Sequence, residues 1–526
     1  MLLGICIAII ILVGSIQIYF SFFLDTQIKQ TLTNHFQEST NHRIRFTIND
    51  LDLQLLGRRI NISGTTISSN KQDEKNTFYA KIEGIQIRGI SFWQLLVHQK
   101  LKLKEVRINN PNISLAKAPS SNPSTTPRHI RKQFSNVKML QQLSIPKLSI
   151  TGLSLRFTTK TKNDKSSFSF RNSDIHFYKI SLDSAALTSN EIIPAKNMVA
   201  DFRDLQYHTA NGVYKLSTHK IAFSSFDSSM DIRSLQLQPK FDKTTFPNQF
   251  DHEADRIKIK MSQIYWSGID SHKLNSRQIL RVKNILIRKP DFDIYRDKRL
   301  PFPPNNNPPL PQEIIQSIPF PTTVNRITLT DGKIRYSERM PSAQKAGYII
   351  FADLTAIFQN LSNIKKEWRA HSPTLQVKTE VMDHAELKAS FRFPMGSQQQ
   401  YIFGHLSSMP IKPLNKALTP LAFVRIEDGH ILGMDFNMTL DEKKAKGSMT
   451  FTYQDLKISL LNKGNKDQNF GNKIKSFLAN AFKVNTHNKG ENLKKAPIKF
   501  ERDTNKSVFN YWWKSLLSGL KTSIGI

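Results

Sequence analysis

Leu103-Lys104-Glu105-Val106-Arg107-Ile108-Asn109-Asn110-Pro111-Asn112-Ile113 decides the fold, because its pattern returns 179 residues later. The second occurrence is Val282-Lys283-Asn284-Ile285-Leu286-Ile287-Arg288-Lys289-Pro290-Asp291-Phe292. Apolar residues alternate with polar ones on both sides of a proline, and a period of two marks a half-buried strand. The same ungapped offset aligns Gly89-Ile90 with Gly268-Ile269 and Asp174 with Asp353. Further upstream a shift of 170 places Leu51, Leu53, Ile60 and Ile62 on Ile221, Phe223, Met230 and Ile232. Two copies of one β unit are the economical reading.

Working outward, the alternation recurs in Ile60-Asn61-Ile62, Ile85-Gln86-Ile87, Leu148-Ser149-Ile150 and Leu153-Ser154-Leu155. Asn211-Gly212, Asp331-Gly332 and Asp428-Gly429 read as hairpin turns, since these residues tolerate positive φ. The body is therefore expected to be mostly antiparallel β. Each copy follows its proline-containing strand with a low-complexity loop, Ala118 to Pro127 and Pro301 to Pro311. A short helical spacing comes next, in Ile130, Phe134, Val137 and Leu140, and again in Ile314, Ile315 and Ile318. Such a helix would cross its sheet once per unit and cover part of the apolar face. A less regular β segment runs from about Leu375 to Leu461. The period then becomes helical in Ile474, Phe477, Leu478, Ala481 and Phe482, and in the tail Phe509, Trp512, Trp513, Leu516 and Leu520. The expected organisation is an anchor (1–24), a first β module (25–190), a second (191–370), a third partial module (371–465) and a basic amphipathic tail (466–526).

The 526 residues contain 75 Lys and Arg against 42 Asp and Glu, a net charge of +33, with 39% hydrophobic residues. That apolar content excludes a disordered polycation, and the charge favours anionic partners. The only cysteine is Cys6, so disulfide scaffolds, cysteine-rich zinc sites and thiol catalysis are excluded from the body. From Met1 to Leu24 no side chain is charged, and such a run, helical at about 1.5 Å per residue, spans a hydrocarbon core of about 30 Å. It is longer than a signal-peptide core and ends in Tyr19, Phe20, Phe22 and Phe23 rather than a small-residue cleavage site, which favours an uncleaved anchor. Ile5 before Cys6 argues against a lipoprotein. Lys29, Arg43 and Arg45 after the run slightly oppose export of the body, although long domains translocate largely regardless of charge. The abrupt hydrophobic start is compatible with a start codon further upstream.

Chemistry is sparse. The chain has no Gly-rich phosphate loop, His-Glu-x-x-His, Gly-x-Ser-x-Gly or paired-cysteine motif. Asp291 and Asp293 share a strand phase but sit among polar positions beside Lys289 and Arg296, as on a solvated face. No catalytic residue, metal or cofactor is called for. The basic residues are spread along strands rather than gathered on a recognition helix, which argues against nucleic acid. From Phe470 onward, eleven basic residues against three acidic give +8. There Trp512 and Trp513 stand with Lys506, Lys514 and Lys521. Two arrangements fit: an interfacial helix with rings at headgroup depth, or a helix capping the last β module with its tryptophans in the core.

Leu51-Asp52-Leu53-Gln54-Leu55-Leu56-Gly57-Arg58-Arg59-Ile60-Asn61-Ile62-Ser63-Gly64 follows the uncharged N-terminal run. Val324-Asn325-Arg326-Ile327-Thr328-Leu329-Thr330-Asp331-Gly332-Lys333-Ile334-Arg335-Tyr336 repeats the form of strand, glycine and aromatic-ended strand. With Met409-Pro410-Ile411-Lys412-Pro413-Leu414-Asn415 and Val424-Arg425-Ile426-Glu427-Asp428-Gly429, these resemble the AsmA-like proteins of Gram-negative envelopes. The resemblance covers most of the chain in pattern, through short and degenerate motifs. It implies a mainly β, elongated, repeated antiparallel sheet or groove behind a single inner-membrane helix, with short covering helices and the body in the periplasm. It further implies binding or transfer of phospholipid or another anionic envelope lipid in outer-membrane biogenesis. With only about two full repeats, bridging both membranes would need an oligomer or an envelope protein partner. Expected lining positions are Ile85, Ile87, Ile113, Leu115, Ile285, Ile287, Phe292 and Ile294, with the inward phase left open. Expected membrane-interface positions are Trp512, Trp513, Lys514 and Lys521. The rival reading is a non-enzymatic scaffold that binds an envelope protein or an acidic glycan.

Overall fold

The computed structural model describes residues 25–39, 44–54, 57–69, 76–91, 101–117, 143–160, 165–182, 191–304, 306–461 and 485–525. The expected anchor at 1–24, the helical spacing at 130–140 and that at 474–482 lie outside these residues. The protein is mainly β and built from repeated strand units. It divides into two compact units, one of the described residues up to Arg233 with Ile269–Gln278, the other of Ser234–Gly268 with Ile279 onward.

The first unit opens with helix α1 (Asp25–Ser39) and the short strands β1 (Ile44–Thr47) and β2 (Asp50–Gln54), which both pair with β3 (Arg59–Ser69). β4 (Asn76–Arg88) follows, then β5 (Leu101–Lys102), β6 (Glu105–Asn109) and β7 (Asn112–Lys117). The long strands β8 (Leu143–Lys160), β9 (Lys165–Leu182), β10 (Ala195–His208) and β11 (Tyr214–Ser224) complete the set, and β12 (Ser229–Pro239) contains the division. Helix α2 (Ser271–Arg277) also belongs here, held by Asn275, whose side-chain amide donates to the Ile193 carbonyl at 2.9 Å.

β6 and β7 are the quoted stretch, and one physical device explains their break. Pro111 has no N–H to give to a ladder, and Asn110 before it takes the left-handed conformation at φ 49°. The Asn110 N–H donates to Thr151 at 2.8 Å and the Pro111 carbonyl accepts from Ser154 at 2.8 Å. In the second unit β13 (Asp255–Ser267), β14 (Leu280–Arg288), β15 (Asp291–Asp297) and β16 (Thr322–Arg339) rebuild it. Lys289 also has φ 49° and donates to Thr330 at 2.9 Å, while Pro290 accepts from Lys333 at 2.7 Å. Every partner is displaced by 179. Gly89 and Gly268 keep φ of +70° and +69°. A Cβ there would lie 2.4 Å from the Lys104 side chain and 2.5 Å from that of Lys283, so any larger residue would push the strands apart.

The sheet is mostly antiparallel, as expected, but mixed: β6 and β7 run antiparallel to β4 and parallel to β8, and β14 and β15 do the same between β13 and β16. Parallel neighbours need a crossover. In the second unit that connection carries helix α3 (Pro311–Gln316), which takes in Ile314 and Ile315 and stops before Ile318. One expectation about turns is corrected. Asn211-Gly212 closes the β10–β11 hairpin, but Asp331-Gly332 lies inside β16, and Asp428-Gly429 lies inside a later long strand. Asp331 at φ 55° and Gly429 at φ 139° produce register shifts in the middle of strands rather than reversals. A single left-handed residue in a ladder makes a bulge that bends the strand.

The second unit continues with β17 (Gly347–Ser362), helix α4 (Lys365–Ala370), β18 (Thr374–Val381), β19 (Ala385–Arg392), β20 (Gln400–Leu406), β21 (Met409–Pro410) and helix α5 (Asn415–Ala422). β22 (Val424–Leu440), β23 (Lys444–Leu460), β24 (Lys495–Glu501) and helix α6 (Val508–Ile524) end the chain. Burial in β22 alternates residue by residue over Met434, Phe436, Met438 and Leu440, so one face is core and the other is wet. That core gathers Ile402, Met409, Met449, Tyr453 and Ile498, each no more than 1% exposed, and α6 closes it. α6 begins at Ser507, whose hydroxyl accepts from the Asn510 N–H, and it approaches the sheet at Gly519, where a Cβ would stand 2.9 Å from Ile498.

Candidate functional site

Strand pairing decides which expected lining residues meet, because directly opposed residues face the same side of a sheet. In the first unit one row runs Leu51–Ile62–Ile85–Ile108–Ile150–Ile175–Ala200–Phe223, one residue from each of eight strands. Beside it runs Leu53–Ile60–Ile87–Val106–Leu148–Phe177–Met198. Leu51, Leu53 and Ala200 are buried; the other members are only half-buried among the described residues. At strand spacings of about 4.8 Å the longer row extends roughly 34 Å. Ile85 and Ile87 thus sit in two adjoining apolar rows.

Ile113 pairs with Ala80 and Leu155, and Leu115 with Phe78 and Phe157, which brings both beside Phe168 and Phe170. Phe170 meets the edge of Phe202 at 5.2 Å, and Phe202 lies two residues beyond Ala200 on the same strand face. Asn172 in β9 and Asp204 in β10 are both left-handed, at φ 46° and 50°. There the bend carries the opposite phase of the chain to the face of the first row.

In the second unit Ile285 lies between Trp266 and Ile327, and Ile287 between Ile264 and Leu329. Phe292 lies between Ile259 and Ile334, and Ile294 between Ile257 and Tyr336. The Ile285 row continues through Phe358, Leu375, Phe391, Ile402 and Met438. Ile285 is itself buried, and the row then runs through half-buried positions into the closed core at Ile402. The sequence reading missed Ile62, Ile108, Ile150, Ile175 and Phe223 as row members. Their alternation was visible, but nothing in it showed which strands lie side by side.

The opposite face of the first unit is polar and basic. Burial alone would raise the Glu105 carboxyl, but Arg107 at 3.0 Å, with Lys147 and Arg88 nearby, outweighs it and holds the group below the usual carboxylate range. His176 Nδ1 lies 3.1 Å from the Ser149 hydroxyl. Asp291 is exposed and Asp293 pairs with Lys243 at 2.9 Å, as a solvated face requires. Among the described residues no group of three or more His, Asp or Glu is placed to hold a metal ion.

Of the interface positions, Trp512 turns inward. Its Nε1 donates to Gln400 at 2.9 Å and its ring packs 5.0 Å from Phe391. Trp513, Lys514 and Lys521 are exposed. Trp512 thus takes the capping arrangement, while Trp513 stays on the surface of the helix. Among the described residues no helix is long and apolar enough to cross a membrane. No protein-family model matches the chain, and no curated protein matches it.

Proposed function

We propose that this protein binds lipid along its apolar rows and assists lipid transfer in a bacterial envelope, held to the inner membrane by residues 1–24 with the body in the periplasm. The observation that supports the reading most is the eight-strand row in the first unit. A sheet face folded only for its own stability would bury such a row, since each fully buried Leu, Ile or Phe side chain contributes about 1.5–3 kcal/mol. Here most members stay half-buried. The row is longer than the roughly 15 Å that one leaflet's chains occupy in a bilayer core of about 30 Å. Acyl chains lying on it would complete the burial while headgroups remain in water. The reaction needs no catalytic residue, metal or cofactor, and nucleic acid is not a partner.

The test is native mass spectrometry of the detergent-extracted full chain, with Ile150→Lys as the comparison. Phospholipid bound to the natural protein and strongly depleted in the variant, at unchanged circular dichroism, is the expected result. Natural protein that carries no lipid, or carries it equally in Ile150→Lys, would overturn the proposal and favour a scaffold that binds an envelope protein or acidic glycan.

A further inference from the structure

Helix α6 carries an apolar edge that its own sheet does not use. Tyr511, Ser515, Gly519 and Ser523 are buried on the side that closes the core. Phe509, Trp513 and Leu517, spaced i, i+4 and i+8, fall on another side of the helix. Phe509 is 71% exposed and Trp513 48%. Single exposed hydrophobic residues are ordinary on any protein. An aromatic pair one helical turn apart is different, and this pair stands on a fixed base: Phe509 meets the edge of Trp512 at 5.4 Å, and Trp512 is pinned to Gln400 and Phe391. The aromatic edge is therefore presented by packing rather than by a loose end.

Charge selects the occupant. α6 contains no Asp or Glu, and its two basic residues, Lys514 and Lys521, are both exposed. An apolar groove on a protein would accommodate the rings but has no general need of a helix lacking acidic residues. An anionic bilayer supplies an apolar phase for the rings and a plane of phosphates for the ammonium groups, over a helix about 25 Å long. We propose that the outward edge of α6 lies in the headgroup layer of an anionic membrane, as a contact separate from residues 1–24. The inference goes beyond the lipid-row reading and does not rest on it.

The experiment uses the full chain with Cys6→Ser and one introduced cysteine, Leu517→Cys, spin-labelled and reconstituted into phosphatidylcholine vesicles with or without phosphatidylglycerol. Lys446→Cys, exposed on the polar face of β23, reports the aqueous reference. With phosphatidylglycerol present, the label at 517 is expected to be oxygen-accessible and shielded from a water-soluble relaxant, while the label at 446 stays aqueous. Phe509→Ser with Trp513→Ser should return the 517 label to water. Lys514→Gln and Lys521→Gln should each weaken the docked population about fivefold, the effect of one basic residue near an anionic surface. A label at 517 as aqueous as that at 446 in anionic vesicles would overturn the proposal. Shielding that is equal in neutral vesicles, or that follows protein density instead of lipid charge, would also overturn it and assign the edge to a second copy. Bound lipid in the apolar rows is read separately by mass spectrometry, so either proposal can fail alone.

Discussion

The first unit and the C-terminal part of the second are built from the same alternating strands, yet they dispose of their apolar faces differently. Around β20, β22 and β23 twenty buried residues among those described form one core, closed by α6. Among the described residues of the first unit the buried cluster has four members, Ile90, Leu103, Ile145 and Ile180, with the partly buried Ile60, Ile87, Val106, Leu148 and Phe177 packed against it. Alternation alone does not decide whether a sheet face is sealed. The lid does, and in the second unit the lid is a helix whose Gly519 permits close approach.

The largest expected effect tests that contrast directly. Ile402→Ala removes a side chain that is 1% exposed and should cost about 2–5 kcal/mol. Ile150→Ala, at a half-buried position of the first row, should cost well under half of that. Chemical unfolding of each full-length variant, followed by hydrogen exchange resolved to β8 and to β20, checks the pair. Equal losses would mean that the first row is as sealed as the C-terminal core, and the contrast would collapse.

Gly519→Ala should come next. The added methyl would meet Ile498 at 2.9 Å and Met449 at 3.3 Å, and overpacking of this kind costs about 1–3 kcal/mol. The protection of β24 amides should fall while that of β8 amides is unchanged. Tyr453→Phe should be milder, about 0.5–1.5 kcal/mol. It removes a hydroxyl that donates to the Asn485 carbonyl at 3.1 Å and lies 3.4 Å from the Ser523 carbonyl. Burial pushes this phenol up to about 12, so its ultraviolet titration should lag behind that of an exposed tyrosine.

These differences also show what was legible in the residues. The strands and the repeat were, because alternation and the offset of 179 are local patterns; the shared left-handed Asn110 and Lys289 carry that offset into hydrogen bonds. The parallel pairing of β6 with β8 was not, since it depends on which strands become neighbours after a crossover. Asp331-Gly332 misled for a related reason. A residue tolerant of positive φ serves a turn or a mid-strand bulge equally well, and only the pairing of β16 with β17 chooses between them. Trp512 and Trp513 could not be separated without knowing that β19 and β20 present Phe391 and Gln400 to α6.

The smallest effects should appear on acidification, at one carboxylate in each unit. Burial alone would raise Asp297, but Arg299 outweighs it, with Nη2 at 2.6 Å, Nε at 2.9 Å and the backbone N–H at 3.1 Å, and holds the carboxyl below the ordinary value of 3.8. Glu105 is lowered in the same sense, but chiefly through one bond to Arg107. A group whose folded value lies below its unfolded one binds fewer protons in the folded state, so its contribution is complete above the unfolded value and disappears as pH falls through the folded value. The stability lead of the natural protein over Asp297→Asn should therefore be steady at neutral pH and shrink below pH 3.8. Glu105→Gln should follow the same direction from its own unfolded value of 4.5, with a smaller lead because fewer donors face the carboxylate. Urea midpoints of both variants across this range make the measurement. A lead that grew on acidification would show that neither carboxylate is held ionised by its arginine, and that the polar face of the first unit is shaped by something other than these pairs.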